Sequence, residues 1–166
     1  MAVLALGACG EPSRAPEVLP AWRVALTESP VVVRPYSPAA LSSLGADNRA
    51  SMRADGAQVI ATTNQNGGWA AMLLLGAEAQ DAKPTAIRVA VKVNRGALHF
   101  LSTYDHPPEG YDPYKVTVEA GDARVIYLPI DKAGPPLLVV ANANGSGGSE
   151  GAITAIELVA PPASGN

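Results

Sequence analysis

Residues 87 to 93 read Ile-Arg-Val-Ala-Val-Lys-Val, with a branched apolar side chain at every second position. A period of two fits a strand with one buried face and rules out an amphipathic helix, whose apolar positions recur every three to four residues. The same rhythm predicts further strands over residues 58–63, 69–75, 97–103, 115–119, 124–130 and 152–159. In the 97–103 strand Leu98 and Phe100 share a face. Residues 137–141 form an unbroken apolar run, as a central strand buried on both faces would. The 16 glycines and 15 prolines are spread along the chain, where they punctuate short strands and oppose long helices.

Turn chemistry refines this picture. Asn64-Gln65-Asn66-Gly67-Gly68 offers the positive φ of a hairpin, which predicts that the strands on either side pair directly. Asn94-Arg95-Gly96 turns the chain between two strands. Pro129 places the 124–130 strand at a sheet edge or at its end, because proline cannot donate to a ladder. Asn142–Gly151 reads as a flexible Gly/Ser/Asn loop. The stretch 38–56 is ambiguous: Ser37-Pro38 has the chemistry to start a short helix through Leu44, which Gly45 would end. Seven or eight strands at this spacing, with no βα alternation, indicate an all-β fold. The expected architecture is a two-sheet antiparallel β-sandwich of jelly-roll type; an immunoglobulin-like strand order gives the same periodicity.

At 166 residues the chain suits one domain, long enough to bury about two thirds of its unfolded surface. Only 16% of residues are charged and the balance is −3, which excludes the clustered basic footprint of a nucleic-acid binder. No apolar run approaches the ~20 residues that span a bilayer as a helix. The amino terminus carries an address instead. Leu6-Gly7-Ala8-Cys9 has the form of a bacterial lipoprotein signal box, and Cys9 is the only cysteine, so it cannot close an intramolecular disulfide. No Lys or Arg precedes Cys9 and the apolar stretch is short, whereas a signal peptide opens with a basic segment. The box therefore belongs to a leader that begins upstream, or is an accident of an alanine-rich terminus. The expected organisation is a signal remnant over 1–9, a Pro/Ala-rich tether over 10–30, the sandwich over 31–160 and a disordered tail over 161–166. Lipid on Cys9 would export the protein and anchor it to a membrane facing the periplasm or cell exterior.

The order of features carries a resemblance. A strand, a turn and Trp69 precede an Ile-x-Val-x-Val-x-Val strand, which runs through Asn-x-Gly into an apolar strand; later an apolar run ends in Asn142, a Gly/Ser loop follows, and Ile-x-x-Ile-x-Leu closes. This resembles the jelly-roll domains of the galactose-binding-like and carbohydrate-binding-module type, over roughly residues 50–160. The resemblance implies a two-sheet sandwich that binds glycans or packs against an attached enzyme. Related domains often carry a charged or aromatic side chain in the penultimate strand, where this chain has Val139-Val140-Ala141. Domains of this type often hold a structural calcium, and Asp105, Asp112, Asn142 and Glu157 are oxygen donors at or near strand ends. Scattered loop carboxylates are usually just solvated and no D-x-[DN]-x-[DN]-G loop is present, so no cofactor is expected.

The densest cluster of functional side chains is the segment 104–114. Tyr104, Asp105, His106, Tyr111, Asp112 and Tyr114 lie within it, among three stiffening prolines. Sugars stack their C–H faces on aromatic rings while carboxylates and imidazoles hydrogen-bond their hydroxyls, and a stiff loop loses less entropy on binding. These six residues are the candidate ligand site, and the same tyrosines and prolines would equally serve to pack the loop on a sandwich edge. Trp69 reads as core in preference to platform, and Trp22 as a staple for the tether. Gly147-Gly148-Ser149-Glu150-Gly151 matches the G-x-S-x-G pattern, but no histidine follows Ser149 and no α/β sheet surrounds it, so a hydrolase is set aside. Asn144-Gly145-Ser146 formally fits a glycosylation sequon. His99 and His106, without a cysteine pair, do not make a zinc site. Asp105 with Glu109, or Asp105 with His106, is the remaining acid/base pair, and adjacent loop acids rarely make a glycosidase. The expected function is non-catalytic binding of a glycan or cell-envelope polymer. The alternative is a structural or interaction sandwich that docks a protein partner and binds no sugar.

Overall fold

A computed structural model describes residues 29–43, 50–64, 68–75, 86–104, 112–130 and 136–162. Cys9, Trp22, Asp105, His106, Glu109 and Tyr111 lie outside these residues, as do the expected tether up to residue 28 and the end of the tail. Among the described residues eleven strands run in order as β1 (Val31–Tyr36), β2 (Ser42–Ser43), β3 (Ala50–Asp55), β4 (Gln58–Thr63), β5 (Gly68–Leu74), β6 (Ala86–Arg95), β7 (Ala97–Tyr104), β8 (Tyr114–Glu119), β9 (Arg124–Pro129), β10 (Pro136–Asn142) and β11 (Glu150–Ala160). Every pairing among them is antiparallel.

The strands form two sheets. One has the order β3-β4-β11-β6-β9, with β1 added to β11; the other has the order β2-β5-β10-β7-β8. The eight strands predicted from the sequence are β4 to β11, and they pair as nested partners: β7 with β8, β6 with β9, β5 with β10, β4 with β11. Nesting of this kind is one long antiparallel ribbon folded over and rolled, which is the jelly roll. The immunoglobulin-like alternative is excluded by that order.

Side-chain alternation explains which face each strand buries. In β6 Ile87, Val89, Val91 and Val93 are at most 2% exposed, while Lys92 faces solvent. Their partners across the sandwich include Leu98, Phe100, Leu138 and Val140, all fully buried in one central cluster. Strand β10 lies between β5 and β7 and is buried on both faces, as its unbroken apolar run requires. Strand β9 is an edge and ends on Pro129, the two places in a sheet where proline is tolerated.

Three expectations are corrected. The 64–68 connection is not a hairpin: β4 already has β3 on one edge and β11 on the other, so β5 joins the opposite sheet. The segment after Ser37 is a single 3-10 turn, Pro38–Ala40, followed by β2; Ser37 makes no side-chain cap bond to stabilise a longer helix. The 143–149 loop is held tightly. Ser149 is fully buried there, its amide donating to Thr63 Oγ1 at 3.0 Å and the Thr63 amide donating back to Ser149 O at 2.8 Å. Three strands escaped the sequence pattern: the two-residue β2, and β1 and β3. β1 and β3 are peripheral and have no buried residue, so neither shows a clean period of two.

Candidate functional site

The five-stranded sheet has an outer face on which β7 and β8 place alternate residues. Leu98, Phe100 and Val118 point into the core, so His99, Thr117 and their neighbours at even spacing face outward. Toward the centre this face is closed: Leu101, Leu137, Val139 and Ala141 are buried there in a second apolar cluster, with Met72 packed beside them. Toward the edge strand it is open and polar. Lys115, Thr117 and Glu119 line β8 in a row, all exposed. The register sets Lys115 opposite Leu101, Thr117 opposite His99 and Glu119 opposite Ala97. Successive positions along this strip stand about 7 Å apart.

His99 Nδ1 is hydrogen-bonded to Thr117 Oγ1 at 2.9 Å, and Nε2 is the ring's remaining polar atom. Partial burial, and then the Lys115 ammonium, hold the imidazole below its ordinary pKa of 6.5. The ring is therefore neutral at physiological pH and able to accept as well as donate. Continuing the register, His99 stands opposite Ala141, and Ala141 opposite Trp69, across neighbouring strands.

At one end the strip opens into a cavity of about 410 Å³ lined by Gly96, Ala97, Glu119, Ala120, Ala143, Asn144 and Gly145. A polar cluster beneath it sets the shape of its floor. Ser149 Oγ accepts the Ala97 amide at 2.9 Å and lies 2.8 Å from Ala97 O and 2.7 Å from Asn142 Oδ1. Asn142 Oδ1 also accepts from Thr63 Oγ1 at 3.0 Å, while Asn142 Nδ2 donates to the Asn144 and Gly147 carbonyls at 2.9 and 3.0 Å. Asn144 Oδ1 in turn accepts from Ser146 Oγ at 3.1 Å. Ser149, the serine of the rejected G-x-S-x-G pattern, is thus a buried staple between the two sheets.

At its other end the strip meets the 105–113 connection between β7 and β8. Of the six residues nominated from sequence, three are within the described chain. Tyr104 closes β7 opposite Pro136. Asp112 is exposed. Tyr114 opens β8, half-buried, and packs against the central core, which gives its ring a structural task. The oxygen donors considered for calcium are separated: Asn142 ends β10 in one sheet and is committed to the Thr63–Ser149 cluster, whereas Glu157 sits within β11 of the other sheet, paired with Arg88 at 3.1 Å. Asn142 and Glu157 therefore do not share one ion, and Asp105 lies outside the described residues; among the described residues no three His, Cys, Asp or Glu side chains gather to hold a metal.

Sequence reasoning missed His99, Thr117, Lys115 and Glu119 as a group. The signal was present in the polar positions of Lys115-Val116-Thr117-Val118-Glu119, which alternation alone assigns to the solvent face. That His99 stands beside Thr117 is a matter of register, which the sequence does not state.

No family model and no curated protein sequence matches the chain. Solved structures do. A variant of a family 29 carbohydrate binding module superposes with a TM-score of 0.52 at 14% identity, covering 79% of this chain and 91% of that one. A second variant of such a module, solved with cellulohexaose, gives 0.52 and 14% over 79% and 90%. A third, solved with mannohexaose, gives 0.50 and 12% over 79% and 89%. The domain therefore shares the jelly-roll fold of these modules. At such identity the likeness is one of fold, and the ligands named are those of the other proteins.

Proposed function

We infer that this domain binds carbohydrate without catalysis, and that the ligand lies along the Lys115–Thr117–Glu119 strip and in the adjoining cavity. The observation that carries the reading is the open polar strip on an otherwise apolar sheet face. It offers a cation, a hydroxyl, a neutral imidazole and a carboxylate within reach of one extended ligand. The fold neighbours, two of them solved with hexasaccharides, support the same reading. Asp112, exposed just before β8, is the nominated residue nearest this strip that remains open to a ligand. Cys9 carries the lipid that tethers the domain, so the strip faces envelope or exterior glycans.

The test is a binding titration of the full chain against mannohexaose, cellulohexaose and a panel of envelope polysaccharides. His99→Ala with Thr117→Ala should weaken binding at least tenfold while the thermal transition stays near that of the parent, since both side chains sit on the sheet surface. Chelation of calcium should leave binding unchanged, because neither Asn142 nor Glu157 is free to hold an ion beside the strip. Silence across the panel, with envelope proteins co-purifying, would replace this reading by the partner-docking one. Mass spectrometry of protein from its native host checks the anchor: an unmodified Cys9 thiol would remove it.

A further inference from the structure

The opposite sheet carries a second constellation that stability does not explain. Arg88 on β6 is flanked in register by Tyr127 on β9 and by Glu157 on β11, and Glu157 by Pro35 on β1, so one row crosses four strands. The flanking positions Ile87, Val89, Ile156 and Leu158 are buried in the core, which places the Arg88 row on the outer face. Arg88 Nη1 lies 3.1 Å from Glu157 Oε2, their side chains 30% and 19% exposed. The pair is close but poorly aligned: neither Arg88 Nε nor Glu157 Oε2, both buried atoms, has a partner in hydrogen-bonding geometry. A half-buried ion pair gives up hydration and returns little net stability, the more so when its polar atoms are imperfectly matched. Along the strands the next outward row is Ala155, Ala90 and Val125, the last 49% exposed. Two alanines leave a low floor between the ion pair and that exposed valine. On the other side Tyr127 is half-buried against Ala86 and Val159.

We propose that this row is a second saccharide-binding surface, selective for neutral, hydroxyl-rich oligosaccharides. A guanidinium that donates beside a carboxylate that accepts is matched by neighbouring sugar hydroxyls, each of which does both. The pair is neutral as a whole, so it gives no electrostatic advantage to a uronate. Tyr127 and Val125 supply apolar contact for the C–H faces, and the alanine floor leaves room for the ring between them. The surface lies on β6, β9 and β11, whereas the strip lies on β7 and β8 of the other sheet. Outer faces of a sandwich point in opposite directions, so one short oligosaccharide cannot occupy both, and the domain is bivalent. This inference rests on the carbohydrate-binding reading but on none of the same residues.

Amide chemical-shift mapping of the full chain, titrated with mannohexaose and with cellulohexaose, separates the two surfaces. Expected are two sets of perturbations, one around residues 97–99 and 117–119 and another around 88–90, 125–127 and 155–157. The double variant Arg88→Met/Glu157→Met keeps side-chain volume and removes both charges, so the fold should survive and only the second set should vanish. Val125→Glu, an exposed position, should weaken the second set about tenfold without touching the first. Perturbation of the strip alone would overturn the second surface and leave the proposed function standing. Loss of both sets in the Arg88/Glu157 variant, with its fold intact, would overturn their independence. Absence of both sets in the parent chain would remove the second surface and the hexasaccharide reading together.

Discussion

His99 shows how one side chain is tuned by its neighbours. Desolvation and the Lys115 ammonium both oppose its proton, so the folded pKa lies below 6.5. The sign of the stability effect follows: as pH falls through 6.5 the unfolded chain takes up the proton first, so His99 progressively subtracts stability from 6.5 down to its lower folded midpoint, subtracts the full amount below that, and subtracts nothing well above 6.5. An imidazole titration followed by NMR should place the His99 midpoint below 6.5, and Lys115→Ala should move it upward. A midpoint that ignores Lys115 would leave burial as the sole cause. Little of this was legible in the sequence. Alternation marked Lys115, Thr117 and Glu119 as outward-facing, but the 2.9 Å contact between His99 and Thr117 depends on which residues of β7 and β8 stand opposite. Tyr114 shows the converse, an aromatic in a polar segment whose residue type invites a binding role while its place in β8 gives it to the core.

At the scale of elements, legibility tracked burial. The strands β4 to β11 were readable because each presents an apolar face inward, and β10 because it presents two. β1 and β3 were not, because exposed peripheral strands carry no such pattern. Turn chemistry misled at residues 64–68, since a local preference for a tight turn says nothing about whether the next strand stays in the same sheet. The β6–β7 corner is the clearest case of a turn whose sequence is dictated by space. Gly96 alone separates strands of different sheets; its φ is +71°, and a Cβ there would strike Ser149 Oγ. Gly96→Ala should therefore cost the left-handed backbone strain and disturb the Ser149 cluster as well, for roughly 2–4 kcal/mol in total by denaturant unfolding. Gly56, at φ +61° with nothing near its Cβ, is the control: Gly56→Ala should cost only about 1 kcal/mol. Equal losses at the two glycines would mean that Ser149 contributes nothing at the corner.

For the whole molecule, nested pairing has a kinetic consequence. The innermost ladder joins Ser102 to Tyr114, roughly 12 residues apart, and the outermost joins Thr62 to Glu150, roughly 88 apart. Closing the longer loop first would cost about 2 kcal/mol more in chain entropy than closing the shorter. Once β7 and β8 are paired, however, β6–β9, β5–β10 and β4–β11 each need only a short further closure. The ribbon should therefore zip outward from the β7–β8 end and fold in milliseconds to seconds, as expected for a sandwich of non-local pairs. Two equivalent truncations test the order. Val118 in β8 and Val59 in β4 are 1% and 2% exposed in the same core cluster. Either Val→Ala change removes two methyl groups from a packed site, well above the ~0.6 kcal/mol needed for a reliable kinetic comparison. Val118→Ala should slow refolding, and Val59→Ala should chiefly speed unfolding. The reverse pattern in stopped-flow chevrons would place the nucleus at β4 and β11, where the Thr63–Ser149 bonds join the two strands, and would make that polar staple the first long-range contact to form.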